Sequence, residues 1–260
     1  MVKLIINADD LGYDNPRNDA ILECFETKQI STATVMVNMP GFEDAVARVH
    51  TNNLQNCVGL HLNFTQGSPL TEEIKQFSNF CDSDGFFNAS FHRSKFGRFF
   101  LSSKAKKAVY KEARAQMLRY IEAGFTMMHL DSHHHSHTDP VICKIVCPLA
   151  KELGFKSIRL SRNFKVVGFV KILYKWYVNR IIRQNACKTS EYFTDFNGVE
   201  KNWASLVEDN GVAEIMVHPN YIDADTEKCL RDYNDLWVSI LDFLEKHKYE
   251  FQLMTFSELM

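Results

Sequence analysis

Five of the chain's ten histidines fall within nine residues, His129-Leu130-Asp131-Ser132-His133-His134-His135-Ser136-His137. Imidazoles beside a carboxylate are the donor set of a hydrolytic divalent-metal site. The apolar run before them, Phe125 to Met128, reads as a short buried strand, which predicts that the cluster begins where that strand ends. In barrel-like α/β proteins, catalytic groups collect at the C-terminal ends of strands. A fortuitous surface cluster or a tag remnant is the plainer explanation, but tags sit at termini and this run interrupts a folded pattern.

Three further stretches have the same form. Asn7-Ala8-Asp9-Asp10-Leu11-Gly12 puts two carboxylates at the end of an apolar strand. Neighbours on a regular strand face opposite ways, but both can approach one site where the strand yields to a Gly-containing loop. One Asp could then bind metal while the other acts as a general base; a helix cap or turn Asp is the structural alternative. Cys57 to Phe64 carries His61 among apolar residues, and Ile215-Met216-Val217-His218-Pro219 ends in an imidazole held at a strand-to-loop junction by the following proline. Alone, His61 reads as a core histidine and His218 as a turn histidine. Together they suggest a metal held by Asp10, His61 and one of the 133–137 group, with His218 placed to protonate a leaving amine. The spacing of His133 and His137 suits a helical two-His pair, so His137 is the reserve ligand if His61 lies too far away.

Positioning these groups requires parallel strands. Strand patterns at Lys3–Asn7, Thr32–Asn38, Cys57–Phe64, Phe125–Leu130, Ser157–Leu160, Ala213–Val217 and Tyr249–Met254 alternate with helical patterns at Asn15–Thr27, Phe42–Thr51, Lys104–Ala123, Pro140–Leu153 and Thr226–His247. Such alternation predicts βαβ units. Without a Pro/Gly-rich linker, it fits one barrel over residues 1–260 better than two domains, with an open doubly wound sheet as the alternative. Residues 66–103, rich in Phe, Ser, Asn and Asp, read as an insertion over one barrel mouth and a candidate lid. Residues 163–188 hold six Lys or Arg, no acid, and Phe169, Trp176 and Tyr177. That pattern predicts a basic amphipathic helix packed by its aromatic face with its charges solvated, with a membrane or anionic-partner role as the alternative.

The net charge of −2 argues against nucleic-acid and membrane partners, and no run of 18 apolar residues is present. The N-terminus shows no export-signal pattern. Seven dispersed cysteines suit reduced thiols and a cytoplasmic location, with Cys143 and Cys147 read as core thiols.

Asn7-Ala8-Asp9-Asp10-Leu11-Gly12, Gly59-Leu60-His61-Leu62-Asn63, His129 to His135 and His218-Pro219, in this order from residue 3 to about residue 223, resemble the motifs of the YdjC-like carbohydrate deacetylases, which include chitooligosaccharide deacetylases. The resemblance implies a distorted (β/α) barrel of the glycoside hydrolase/deacetylase type, a homodimer, and metal-dependent removal of N-acetyl groups from amino sugars. It implies a divalent metal, magnesium or zinc, on Asp10, His61 and His133, with Asp9 as base toward the attacking water and His218 beside the leaving group. The family's usual Ala-Asp-Asp-Phe-Gly has Leu11 in place of Phe here, a change that bears on pocket shape. Asp131, His134, His135 and His137 are expected to orient ligands or contact sugar hydroxyls. Arg159 reads either as a ligand for substrate anions or carbonyls or as a structural ion pair.

Two rival classes remain in view. Another metal hydrolase, such as an amidohydrolase or phosphoesterase, would use the His-x-His within His133-His134-His135, but amidohydrolases carry that pair after the first strand, where this chain has Asp-Asp. A non-catalytic sugar-binding barrel would have no need of an acid beside the ligand acid.

Overall fold

The computed structural model describes the backbone of residues 1–94, 96–224, 227–232 and 235–260, and the side chains of these residues up to 221 and from 241. Strands β1 (Val2–Leu11), β2 (Thr32–Val35), β3 (Val58–Leu62), β4 (His129–Ser132), β5 (Ser157–Ile158), β6 (Tyr192–Asp195) and β7 (Val212–Val217) form one parallel sheet in the order β5-β4-β3-β2-β1-β7-β6. Strands β8 (Pro219–Ala224), β9 (Glu227–Asp232) and β10 (Asp235–Leu236) make a separate antiparallel sheet. Strand β11 (Phe251–Leu253) pairs with Val2–Leu4 on the side of β1 that β2 occupies from Asn7 onward. The helices are α1 (Asn15–Glu26), α2 (Phe42–Thr51), α3 (Glu72–Lys75), α4 (Ser90–Arg93), α5 (Ser103–Glu122), α6 (Pro140–Glu152), α7 (Phe169–Asn185), α8 (Phe196–Asp209), α9 (Trp237–His247) and α10 (Phe256–Leu259).

Parallel strands covered on both faces carry near-continuous apolar runs. Strand β1 buries Leu4, Ile5, Ile6, Ala8 and Leu11 completely or nearly so, which places the Leu11 of the Asp-Asp-Leu motif in the core. Local signals set the helix starts. Asp14 accepts a hydrogen bond from the Arg17 amide ahead of Pro16, and Ser102 caps α5 through the Ala105 amide. The sheet curls into the expected distorted barrel. Between its edge strands β5 and β6 the gap is spanned by an isolated Ser157–Lys188 bridge and an Asn163 N–H to Phe193 carbonyl bond.

Several elements differ from expectation. Strand β4 begins at His129, not Phe125, so part of the histidine cluster lies on the strand itself. Phe125 instead stacks on Tyr120, whose hydroxyl donates to the Met127 carbonyl. An apolar pattern alone does not separate an approach segment from a strand whose inward residues are polar. Strand β6 and helix α8 were not anticipated; a four-residue strand with polar ends carries little period. The Thr226–His247 helix forms only from Trp237, and β9 lies in its first half; Thr226 itself lies outside the described residues.

Residues 66–103 carry a small core of Ile74, Phe80, Phe87 and Phe91, tied to α5 where the Glu112 carboxylate accepts from the Leu70 and Thr71 amides. Helix α7 corrects the expectation for the basic segment. Val178, Asn179 and Ile182 are buried, with Asn179 bonded to the Ser161 backbone, while Phe169 and Trp176 are exposed and Tyr177 is partly so, against Lys144 of α6. Burial of the aliphatic Val178 and Ile182 sets the phase of the helix.

Candidate active site

Strand β1 loses its regular register with β2 between Ala8 and Leu11, and Asp10 sits at φ 69°. A non-glycine residue in this left-handed region costs on the order of 1 kcal/mol. The kink brings the adjacent carboxylates of Asp9 and Asp10 to the same end of the barrel. Asp10 Oδ1 lies 2.8 Å from His133 Nδ1 and 3.2 Å from His61 Nε2. Each of the three residues offers a ligand atom within 4.8 Å of the other two, and all three side chains are buried. Two nitrogens and a carboxylate oxygen at this spacing suit a divalent cation.

The other nitrogen of His61, Nδ1, meets Asp131 Oδ1 at 2.7 Å. A carboxylate there fixes the tautomer that leaves Nε2 free for a metal. Thr34 completes the arrangement: its hydroxyl donates to Asp131 Oδ2 at 3.0 Å, lies 3.1 Å from His61 Nδ1, and accepts from Asn7 Nδ2. Sequence reasoning missed Thr34, because a threonine in an apolar strand reads as a β-former.

Beneath these groups lies Arg159, fully buried. Its Nη1 and Nη2 reach Asp9 at 2.6 and 2.7 Å, Nη1 also reaches Asp131 Oδ2 at 2.7 Å, and Nε donates to Glu214. The structure thus aims the guanidinium at three carboxylates. Glu214 was also missed, although an acid in the middle of the apolar run of β7 is the signal that could have found it. Burial pushes its carboxyl up to about 7 against the pull of Arg159. Burial works in the same direction on Asp9, but there Arg159 prevails and holds the carboxyl well below the usual range. Among the described residues, Asp9–His61–Asp131 and His129–Asp131–Glu214 also have metal-like spacing. In both groups Arg159 already supplies the cation.

The turn after β4 departs from a helix. Residues His133–Thr138 form a broken 3-10 turn in which His134 and His135 take φ 52° and 54°. The helical pairing of His133 with His137 is therefore not formed. His137 turns to Ser132 Oγ (2.5 Å) and the Arg159 carbonyl (3.0 Å), and burial lowers its pKa to about 4. It stands apart from Asp10 because the intervening His134 and His135 reverse the backbone. His134 stacks nearly parallel to His92 and lies 3.1 Å from Thr65 Oγ1, while His135 packs edge-on to Phe193. His218, at the end of β7, places Nε2 3.9 Å from Asp9 Oδ2.

Asp9, His61, His133, His134, His135 and His218 line a cavity of about 370 Å³, and His92 and Arg93 from the 66–103 segment form another part of its wall. Burial opposes the charged form of His61, but Asp131, Asp10 and Asp9 outweigh it and raise its pKa to about 10. A divalent metal taken up at Nε2 would have to displace a proton from this ring. Zinc binding is expected to release about one proton from His61 near pH 7, with apparent affinity rising roughly tenfold per pH unit below about 10. Titration calorimetry in buffers of different ionisation enthalpy measures this, and heats independent of buffer would refute it.

A curled parallel α/β barrel with a polar His/Asp cavity at the C-terminal ends of β1, β3, β4 and β7 belongs to the barrels that hold reactive groups at that end. The chain matches the YdjC-like protein family over residues 3–260, and it belongs to that family. It is 33% identical to a carbohydrate deacetylase of Brevibacillus brevis over 99% of this chain and 100% of the relative. It is 32% identical to a carbohydrate deacetylase of Vibrio parahaemolyticus over 85% and 80% of the two chains. Among solved structures, a protein described as a "putative cellobiose-phosphate cleavage protein" from Enterococcus faecalis superposes with a TM-score of 0.77 at 21% identity, covering 99% of this chain and 98% of the other. That likeness supports the barrel fold.

Proposed function

We propose that this chain is a carbohydrate deacetylase that removes N-acetyl groups from amino sugars with the help of a divalent metal. The observation that carries the reading is the Asp10–His61–His133 trio, whose two histidines line a cavity together with Asp9 and His218. The names of the full-length relatives supply the reaction class. Magnesium or zinc held by the trio would polarise the acetamide carbonyl and make water more acidic. The mixed nitrogen and oxygen donors suit zinc, and a water-rich octahedral shell would suit magnesium.

The chain's own residues account for the remainder. Asp131 and Thr34 orient His61. Arg159 keeps Asp9 ionised and fixed in plane, with Oδ1 also accepting from Asn7 Nδ2. Asp9 Oδ2, on the His218 side, takes a proton from the attacking water. His218 Nε2 hands a proton to the sugar nitrogen as the C–N bond breaks, so that acetate and the free amine leave. His134 and His135 contact sugar hydroxyls, and the 66–103 segment closes over the sugar with His92 and Arg93 facing it.

Acetate release from N,N'-diacetylchitobiose and its 6-phosphate tests this reading, using metal-stripped protein to which magnesium, zinc, manganese or cobalt is restored separately. Metal-dependent acetate is expected. Tight metal binding without acetate under any condition would shift the assignment to another acyl or phosphoryl substrate.

A further inference from the structure

Two stretches of this chain combine many cations with no acid. Residues 85–111 and 163–188 hold seven and six of its 30 Lys and Arg and none of its 32 Asp and Glu. The net charge of −2, which argued against a membrane partner, averages over this contrast. The fold brings the two stretches together around Phe99 and Tyr174. The Phe99 ring meets the Tyr174 ring edge-on at 6.1 Å, and Phe99, Phe100, Lys144 and Tyr177 line a shared groove. In these two stretches Phe96 is 79% exposed, Phe100 72%, Phe169 74%, Val170 78% and Trp176 57%, and Leu173 is half exposed. Large apolar side chains exposed together on a folded chain mark a contact surface.

We infer that this face docks on an anionic phospholipid surface. A helix lying in a membrane interface presents aromatic and aliphatic residues to the acyl boundary and Lys or Arg to the headgroups, and α7 with its neighbouring loop has that composition. A second copy of the chain is the poorer occupant, since pairing α7 with itself would oppose two sets of cations with no acid on the helix. The docked face adjoins the cavity, because the stretch bearing Phe96 and Phe100 also carries His92 and Arg93. The inference does not depend on the deacetylase reading.

The test is flotation of the full chain with vesicles of phosphatidylcholine alone or mixed with phosphatidylglycerol. The protein is expected to float with the anionic vesicles at low salt, to stay behind with phosphatidylcholine alone, and to be released by salt. Its tryptophan emission is expected to shift to the blue on the anionic vesicles, and that shift should vanish in Trp176→Phe although Trp203 and Trp237 remain. A Phe169→Ser/Trp176→Ser protein, altered only at exposed positions, is expected to lose roughly tenfold or more of its bound fraction. No flotation on anionic vesicles at low salt would overturn the inference, and flotation without a Trp176-dependent shift would reduce the contact to surface adsorption and overturn it too. A dimer that does not float, and that Leu173→Glu dissociates, would assign the face to a second copy instead.

Discussion

Arg159→Met is expected to destabilise the protein by about 3–5 kcal/mol, the usual cost of removing one partner from a buried charge cluster. The side chain is fully buried, and its guanidinium meets Asp9, Asp131 and Glu214. Methionine fills much of the volume but leaves carboxylates facing one another without a cation. For a chain of this size the loss corresponds to a fall in melting temperature of about 10 °C. The pH dependence follows from Asp9, whose folded pKa lies below its ordinary value of 3.8. The stabilisation it gains from Arg159 is complete above that value and disappears as the pH falls through the lower folded pKa. The gap between the melting curves of wild type and variant should therefore be wide at neutral pH and narrow in acid. Arg159→Lys keeps the charge but not the fork that holds both oxygens of Asp9, so an intermediate stability is expected. A methionine variant melting within about 1 °C of wild type at pH 7 would mean that the cluster is not held together by this cation.

Asp9→Asn is expected to lower acetate release by about 10²–10⁴-fold, the range contributed by a general base, while leaving metal affinity unchanged. The reasoning rests on separation of roles. Asp10, His61 and His133 offer the metal-like trio, while Asp9 is turned to Arg159 and His218. Asparagine has nearly the same shape and cannot take the proton. Retention of more than roughly a tenth of wild-type turnover would remove Asp9 from the role of base. Loss of metal binding together with turnover would instead place Asp9 among the ligands. The same variant separates an enzyme from a sugar-binding barrel, for which Asp9 would be dispensable.

The barrel was legible in the sequence because strands buried on both faces must be apolar runs, and helices covering them must repeat every three to four residues. The strand-end positions of Asp9, Asp10, His61 and His218 followed from the same pattern, and the motif order carried the family. Tertiary structure decided what local pattern does not encode. The helical pairing of His133 with His137 required a regular backbone, and His134 and His135 break it with positive φ. Arg159 and Glu214 are 55 residues apart, and only the curl of the sheet brings β5 and β7 across from each other to form the cluster beneath Asp9. Thr34 has a role only because β2 sits between the strands that carry Asn7 and His61. The exposure of Phe169 and Trp176 turned on which side of α7 packed inward, a choice that depends on contacts with the rest of the fold and not on the period of the helix itself. Short-range chemistry thus chose the elements and the reactive residues, while charge pairing and face selection were settled by contacts between residues far apart in the chain.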